Sequence, residues 1–164
     1  MLSFDSLAAV PADFGPSAVT IGKFDGVHAG HHAVIARLEE LAAPRNLATT
    51  VLTFDRNPLS LLKPAECPDP LVSNAQKLDL LAATGIDAVL MLEFTREFSE
   101  LAPADFVTSI LVDTLHASLV LVGRDFRFGN RGSGTVAVLT ELGLQHGFEV
   151  VVMDDVTLED ERRV

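Results

Sequence analysis

The stretch Ala18-Val19-Thr20-Ile21-Gly22-Lys23-Phe24-Asp25-Gly26-Val27-His28-Ala29-Gly30-His31 decides how the rest of the chain is read. Four residues suited to a buried strand run into a turn with glycines at 22, 26 and 30. The turn opens residues 31–43, where Val34, Ile35, Leu38 and Leu41 share one helical face before Pro44 stops it. Strand, glycine turn and helix make the first half of a β-α-β unit, and the pattern repeats downstream. Thr49-Thr50-Val51-Leu52-Thr53-Phe54, Ala88-Val89-Leu90-Met91, Leu119-Val120-Leu121-Val122 and Val150-Val151-Val152 are further apolar, β-branched runs. With the first they predict about five strands, apolar on both faces as parallel strands covered by helices are.

Helix signals fill the gaps. Ser73 followed by Gln76 reads as a capping box ahead of Leu78, Leu80 and Leu81, with Gly85 as the C-terminal cap. Pro103 suits the first turn of a helix carrying Phe106, Val107, Ile110 and Leu111 on one side. A last helix is expected over 135–146, and the Pro-rich residues 57–70 are expected to form a long loop. The alternation predicts an α/β fold with a doubly wound, mostly parallel sheet, whose ligands bind at the C-terminal ends of the strands near the reversal of strand order.

The 164 residues fit one domain, and the mean hydropathy of +0.33 belongs to a core, because no apolar run approaches the roughly 20 residues that span a bilayer. No membrane association is expected. The N-terminal Met1-Leu2-Ser3-Phe4-Asp5 lacks the basic and small-residue flanks of an export signal, and Cys67 is the single cysteine, which together predict a cytoplasmic chain. A formal charge of -11 argues against a nucleic-acid surface, since such surfaces need excess Lys and Arg. An anionic ligand must therefore be held locally, by backbone N–H groups, a helix N-terminus and a few His or Arg side chains.

Residues 22–32 supply that chemistry. Gly22, Gly26 and Gly30 let the main chain approach a ligand, and His28 and His31, three apart across a turn entering a helix, can converge on one phosphate. The same spacing suits a solvent-facing pair or a metal pair. Two histidines without a third ligand make a poor zinc site, so phosphate is the better ligand.

The string Thr20-Ile21-Gly22-Lys23-Phe24-Asp25-Gly26-Val27-His28-Ala29-Gly30-His31 resembles the signature of prokaryotic FAD synthetases, within the nucleotidyltransferase superfamily that shares His-x-Gly-His. The flanking Phe-Asp-Gly-Val narrows the resemblance to the FMN adenylyltransferase domain of the bifunctional riboflavin kinase/FMN adenylyltransferases. Thr53-Phe54-Asp55-Arg56-Asn57-Pro58 is similar to the family's Thr-Phe-x-Pro-His-Pro, with Arg56 and Asn57 in place of Pro and His. Gly123-Arg124-Asp125-Phe126-Arg127-Phe128-Gly129 is similar to Gly-x-(Asp/Asn)-Phe-x-Phe-Gly. The resemblance implies a Rossmann-like nucleotidyltransferase fold and a catalytic set of His28, His31 and Asp125. ATP would meet Gly22, Phe24, Asp25, Gly26, Gly30, Gly123 and Arg127. The flavin would meet Phe54, Asn57, Pro58, Phe128 and Phe106, the last as either core or flavin wall. One of Phe126 and Phe128 is expected to be buried and the other exposed.

The implied reaction transfers AMP from ATP to FMN, giving FAD and pyrophosphate, with Mg2+ accompanying ATP and small nucleotides as the partners. Two alternatives stay open: a transferase of the same superfamily acting on another phosphate monoester, such as phosphopantetheine, and a noncatalytic nucleotide-binding module. Metal ligands are not legible. His32, His116 and His146 match no motif and read as solvent-facing or hydrogen-bonded helix residues; Cys67, in the Pro-rich loop, reads as incidental, and the acidic run from Asp154-Asp155 to Glu159-Asp160-Glu161 reads as a solvated connection rather than a metal site. Residues 1–164 are expected to be one adenylyltransferase domain that stops before the family's Ser-Ser-Thr-x-Ile-Arg-like phosphate clamp, with no riboflavin kinase module.

Overall fold

Six strands assemble into one sheet, the inner four apolar on both faces and buried over most of their length. The computed structural model describes residues 1–22, 24, 29–55, 65 and 73–153, and of residues 29–31 only the backbone. The strands are β1 (Leu2–Phe4), β2 (Ser17–Ile21), β3 (Ala48–Phe54), β4 (Ala88–Leu92), β5 (Ala117–Gly123) and β6 (Glu149–Met153). Their order is β1-β4-β3-β2-β5-β6, and every pairing is parallel. From β2 the chain winds outward through β3 and β4, then returns to place β5 on the other side of β2. The reversal lies between β2 and β5, as a doubly wound sheet requires.

Alternation along the strands divides the core. Val19 and Ile21 of β2, Leu52 of β3, Leu90 and Leu92 of β4 and Val120 and Val122 of β5 face Phe106, Val107, Ile110, Leu111 and Leu139. Val51 and Val89 face Ile35 and Leu81, while Ala18, Leu119 and Leu121 face Leu38 and Ala42. One sheet face is thus covered by α1 (Ala29–Ala42) and α2 (Asn74–Ala82). The other is covered by α4 (Pro103–Phe106) with the helical turns that follow it, and by α5 (Val136–His146); the short α3 (Arg96–Ser99) precedes α4.

The five expected strands and the main helices are present, and Ser73 with Gln76 forms the capping box in both directions. Four details differ. The sixth strand, β1, has only three residues and an exposed Leu2, so it carries no period of its own and exists through pairing with β4, Leu2 opposite Ala88. Helix α2 ends at a right-handed Ala83, and Gly85, at φ +86, shapes the turn beyond it rather than capping it. The helix begun by Pro103 widens over Val107–Val112 into a π-helix, with the N–H groups of Asp113 and Leu115 donating to Thr108 and Ile110 carbonyls at 2.9 and 3.0 Å. Thr108 and Ser109 hydroxyls bond the carbonyls of Ala104 and Asp105, four residues back, and so compete with the α-helical ladder. His116 lies in no helix; it precedes β5 at φ +49, with Nδ1 2.6 Å from the Phe14 carbonyl oxygen. The Pro-rich loop expected over 57–70 and the acidic run after Asp154 lie outside the described residues, apart from Ala65.

Candidate active site

Because all strands are parallel, Ile21, Phe54, Leu92 and Gly123 end β2, β3, β4 and β5 at one edge of the sheet. Gly22 continues β2 by one rung, donating to the Leu52 carbonyl at 3.1 Å. A Cβ on Gly22 would meet the Phe24 ring at 2.9 Å, so the turn needs glycine there. Phe24 itself has φ +50, and its ring is buried with Ile35, Val51, Leu81, Ile86 and Val89. The residue expected to meet ATP therefore commits its side chain to the core under α1 and α2. Helix α1 opens at Ala29, which places the backbone of Gly30 and His31 in its first turn. Asp25, Gly26 and His28 lie outside the described residues, as do Asn57 and Pro58.

Beside this turn, on the α4 and α5 face, the strand ends enclose a cleft of about 240 Å³. Phe54, Phe106 and Phe128, expected at the flavin position, all line it, and Arg127 stands among the lining residues. Phe106 is core and wall at once: it is 3% exposed and borders the cleft. Three further rings, Phe94, Phe98 and Phe126, complete the lining together with Ile21, Ser99, Gly129, Arg131 and Gly132. The six rings form one chain of contacts, Phe54 with Phe94 and Phe98, Phe98 with Phe106, Phe106 with Phe128, at centroid separations of 5.3–5.9 Å. Most meet edge to face, the arrangement the ring quadrupole favours. Phe126 and Phe128 instead stack, 5.6 Å apart and 11° from parallel. Residues two apart in an extended segment share a face, which is why the expected split into one buried and one exposed ring does not occur: Phe128 is buried and Phe126 half-buried.

Glycines hold this wall close. Phe128 and Gly134 exchange backbone hydrogen bonds at 3.0 and 2.8 Å, and a Cβ on Gly134 would lie 2.7 Å from the Phe128 ring. Gly129, at φ +77, packs on Pro103 at the start of α4, where a Cβ would come within 2.8 Å. Gly123 and Asp125 do not line the cleft. They form the turn that leaves β5, closed by the Phe126 N–H on the Gly123 carbonyl at 3.2 Å, with the Asp125 side chain exposed.

Two polar side chains stitch the strand ends. Asp55 donates its N–H to the Leu92 carbonyl at 2.9 Å, and its carboxylate accepts the Phe94 N–H at 3.0 Å, the rung that the Asp55 carbonyl would otherwise take. Lys77 Nζ donates to the Phe54 carbonyl at 3.1 Å. The exposed guanidinium groups of Arg127 and Arg131 stand at the cleft, a local positive rim on a chain of net charge -11. Among the described residues no three His, Cys, Asp or Glu side chains gather as a metal site, and no helix is long and apolar enough to cross a membrane.

Phe94, Phe98 and Arg131 carry no motif, but position could have found two of them. Glu93-Phe94-Thr95-Arg96-Glu97-Phe98 follows β4 directly, and segments that leave parallel strands at their C-terminal ends are where such sheets bind ligands.

Comparison with known proteins agrees with this geometry. In fold, the chain is similar to a crystal structure titled as a macrolide-efflux protein from Streptococcus pneumoniae, with a TM-score of 0.78 and 23% identity over 94% of this chain and 50% of that one. In sequence it is similar to proteins named bifunctional riboflavin kinase/FMN adenylyltransferase. The one from Escherichia coli K12 is 39% identical over 80% of this chain and 42% of its own length, and the one from Listeria monocytogenes 36% over 88% and 46%. That from Buchnera aphidicola (Schizaphis graminum) is 31% identical over 90% and 47%, so the chain spans about half the length of the curated relatives it matches. The FAD synthetase family matches residues 10–163, all but the ends of the chain. With a parallel sheet reversing beside a glycine turn, a phenylalanine-walled cleft at its edge and a family match of that extent, this chain belongs to the FAD synthetase family.

Proposed function

We propose that the chain transfers AMP from ATP to FMN, giving FAD and pyrophosphate, as one adenylyltransferase domain over 1–164 working in the cytoplasm on small nucleotides. The observation that carries this reading is the cleft: six phenylalanines with two arginines at the mouth suit a substrate that is flat and apolar at one end and anionic at the other. Ile21, the last residue of β2, lines this cleft, and α1 opens downstream of the same strand with an N-terminus suited to a triphosphate, which supports the reading. The names of the relatives support the same assignment.

FMN brings its own nucleophile, a phosphate oxygen already ionised at neutral pH, so no strong general base is needed. That oxygen forms a bond to the α-phosphorus of ATP while the bond from the α-phosphorus to the bridging oxygen breaks, and pyrophosphate leaves with the electron pair. Magnesium enters as part of the substrate MgATP. The protein's task is to bring two anions together and to aim donors at the charge that develops. We assign the donors to His28, His31 and the N–H groups of the first turn of α1, with Gly22, Asp25, Gly26, Gly30, Gly123 and Asp125 framing the ATP phosphates. Phe54, Asn57, Pro58, Phe106 and Phe128 take the isoalloxazine, with Phe94, Phe98 and Phe126 added by the cleft. Arg127, expected at ATP from the sequence, is reassigned with Arg131 to the phosphate-bearing end of FMN because both line the cleft.

The test is pyrophosphate release from MgATP with and without FMN, with products separated by chromatography. Release that requires FMN and yields one FAD per pyrophosphate is expected; release without FMN, or ATP binding with no release, overturns the reading. His31→Ala should lower kcat by about 100-fold or more, the scale for losing one electrostatic donor.

A further inference from the structure

A second cleft, of about 500 Å³, differs from the first in its chemistry: Arg96, Ser99, Glu100, Asn130 and Arg131 line it, with no aromatic ring among them. Ser99 and Arg131 line both clefts, so the two adjoin, one apolar and the other polar. Among the described residues neither Arg96 nor Arg131 makes an ion pair, although Glu100 stands in the same cleft and the chain carries a charge of -11. By contrast Arg37 pairs with Glu40 at 3.1 Å and Arg45 with Glu149 at 3.4 Å. Arg131 is moreover held in a left-handed conformation, at φ +54, which sterics disfavour for any residue with a long side chain. The turn around it is fixed by the Asn130 N–H on the Leu101 carbonyl at 2.7 Å, the Gly132 N–H on Gly129 at 3.2 Å and the Ser133 N–H on Asn130 at 3.0 Å. A strained residue that its surroundings over-determine points to function. The neighbouring polar groups keep bonding capacity to spare. Asn130 Oδ1 accepts the Ser133 hydroxyl at 3.0 Å, which leaves the amide N–H groups to donate; the Ser99 hydroxyl donates to the Arg96 carbonyl at 2.5 Å, which leaves its oxygen to accept. The polar cleft thus offers two cations to an anion, and both a donor and an acceptor to hydroxyl groups.

We propose that the polar cleft receives the hydroxylated, phosphate-bearing chain of FMN while the phenylalanine cleft holds its ring, and that Arg96 is a substrate-binding residue that takes the phosphate together with Arg131. The planar fork of a guanidinium suits a phosphate, and a charge-assisted pair of this kind is stronger than a neutral hydrogen bond. The assignment rests on the function proposed above and deepens it: the polar cleft selects phosphorylated flavin over riboflavin.

The experiment measures Kd for FMN and for riboflavin, by flavin fluorescence anisotropy, on the native chain, Arg96→Ala and Arg96→Glu. Riboflavin has the same ring and hydroxylated chain without the phosphate, so its affinity also reports whether each variant is folded. Arg96→Ala should weaken FMN about tenfold, the scale of one lost charge-assisted contact, with riboflavin within about twofold of native. Arg96→Glu should weaken FMN further and again spare riboflavin. Unchanged FMN affinity in Arg96→Ala, or equal loss of both flavins, overturns the proposal. A native chain that binds the two flavins with one affinity also overturns it, while the ring cleft stands. A native chain that binds neither overturns the function proposed above, and this assignment with it.

Discussion

Gly134 sets how near the backbone comes to the Phe128 ring, and the ring in turn sets the cleft wall. Gly134→Ala puts a methyl 2.7 Å from that ring, and overpacking of this kind costs about 1–3 kcal/mol. A lower thermal midpoint and a several-fold weaker FMN affinity are expected, and calorimetry with an FMN titration checks both. Arg127→Ala and Arg131→Ala should each weaken FMN by about tenfold, as one charge-assisted contact does, while riboflavin, which lacks the phosphate, is bound as by the native chain. A matching loss for riboflavin would show that the arginines act through the rings. Phe54 and Phe128, which line the cleft, were legible because each sits in a motif that follows a strand; Phe106 was legible only from its helix, and Arg127 was expected at ATP rather than at this cleft. Phe94 and Phe98 escaped sequence reading because a phenylalanine following a glutamate reads as an ordinary loop hydrophobe until β4 is known to end at Leu92. Phe24 went the other way: it stands inside the glycine turn, yet its positive φ swings the ring into the core.

Elements were legible in proportion to how local their causes are. The capping box of α2 involves residues three apart, and both of its hydrogen bonds are present, at 2.8 and 3.1 Å. Ser73→Ala should cost about 1 kcal/mol, measurable as a shift in the urea midpoint at unchanged slope. The strands β2 to β6 announce themselves as runs apolar on both faces. β1 could not, since its partner β4 lies more than eighty residues away and only that pairing makes Leu2–Phe4 a strand. The π-helical stretch Val107–Val112 was equally hidden. Its apolar spacing is that of an α-helix, and the outcome depends on which carbonyls the Thr108 and Ser109 hydroxyls take.

At the scale of the molecule, the two helical layers share the same strands, with Val51 facing one and Leu52 the other, so loss of either layer bares one apolar face of the sheet on which the other is built. Leu38→Ala, at a fully buried position under α1, should cost about 2–5 kcal/mol and move a single cooperative transition, with loss of helix signal and loss of FMN binding sharing one midpoint. Two separated midpoints would show that the layers unfold independently. The chain has ten phenylalanines and no tryptophan or tyrosine, and six of the ten surround the cleft. Phenylalanine is the aromatic side chain hardest to oxidise and has no polar group on its ring. An isoalloxazine held among such rings gains contact area but no electron donor to meet its excited state and no ring-borne hydrogen bond to retune its reduction potential. On the proposed function, such a cleft would treat flavin as cargo, to be processed and passed on with its redox chemistry left untouched.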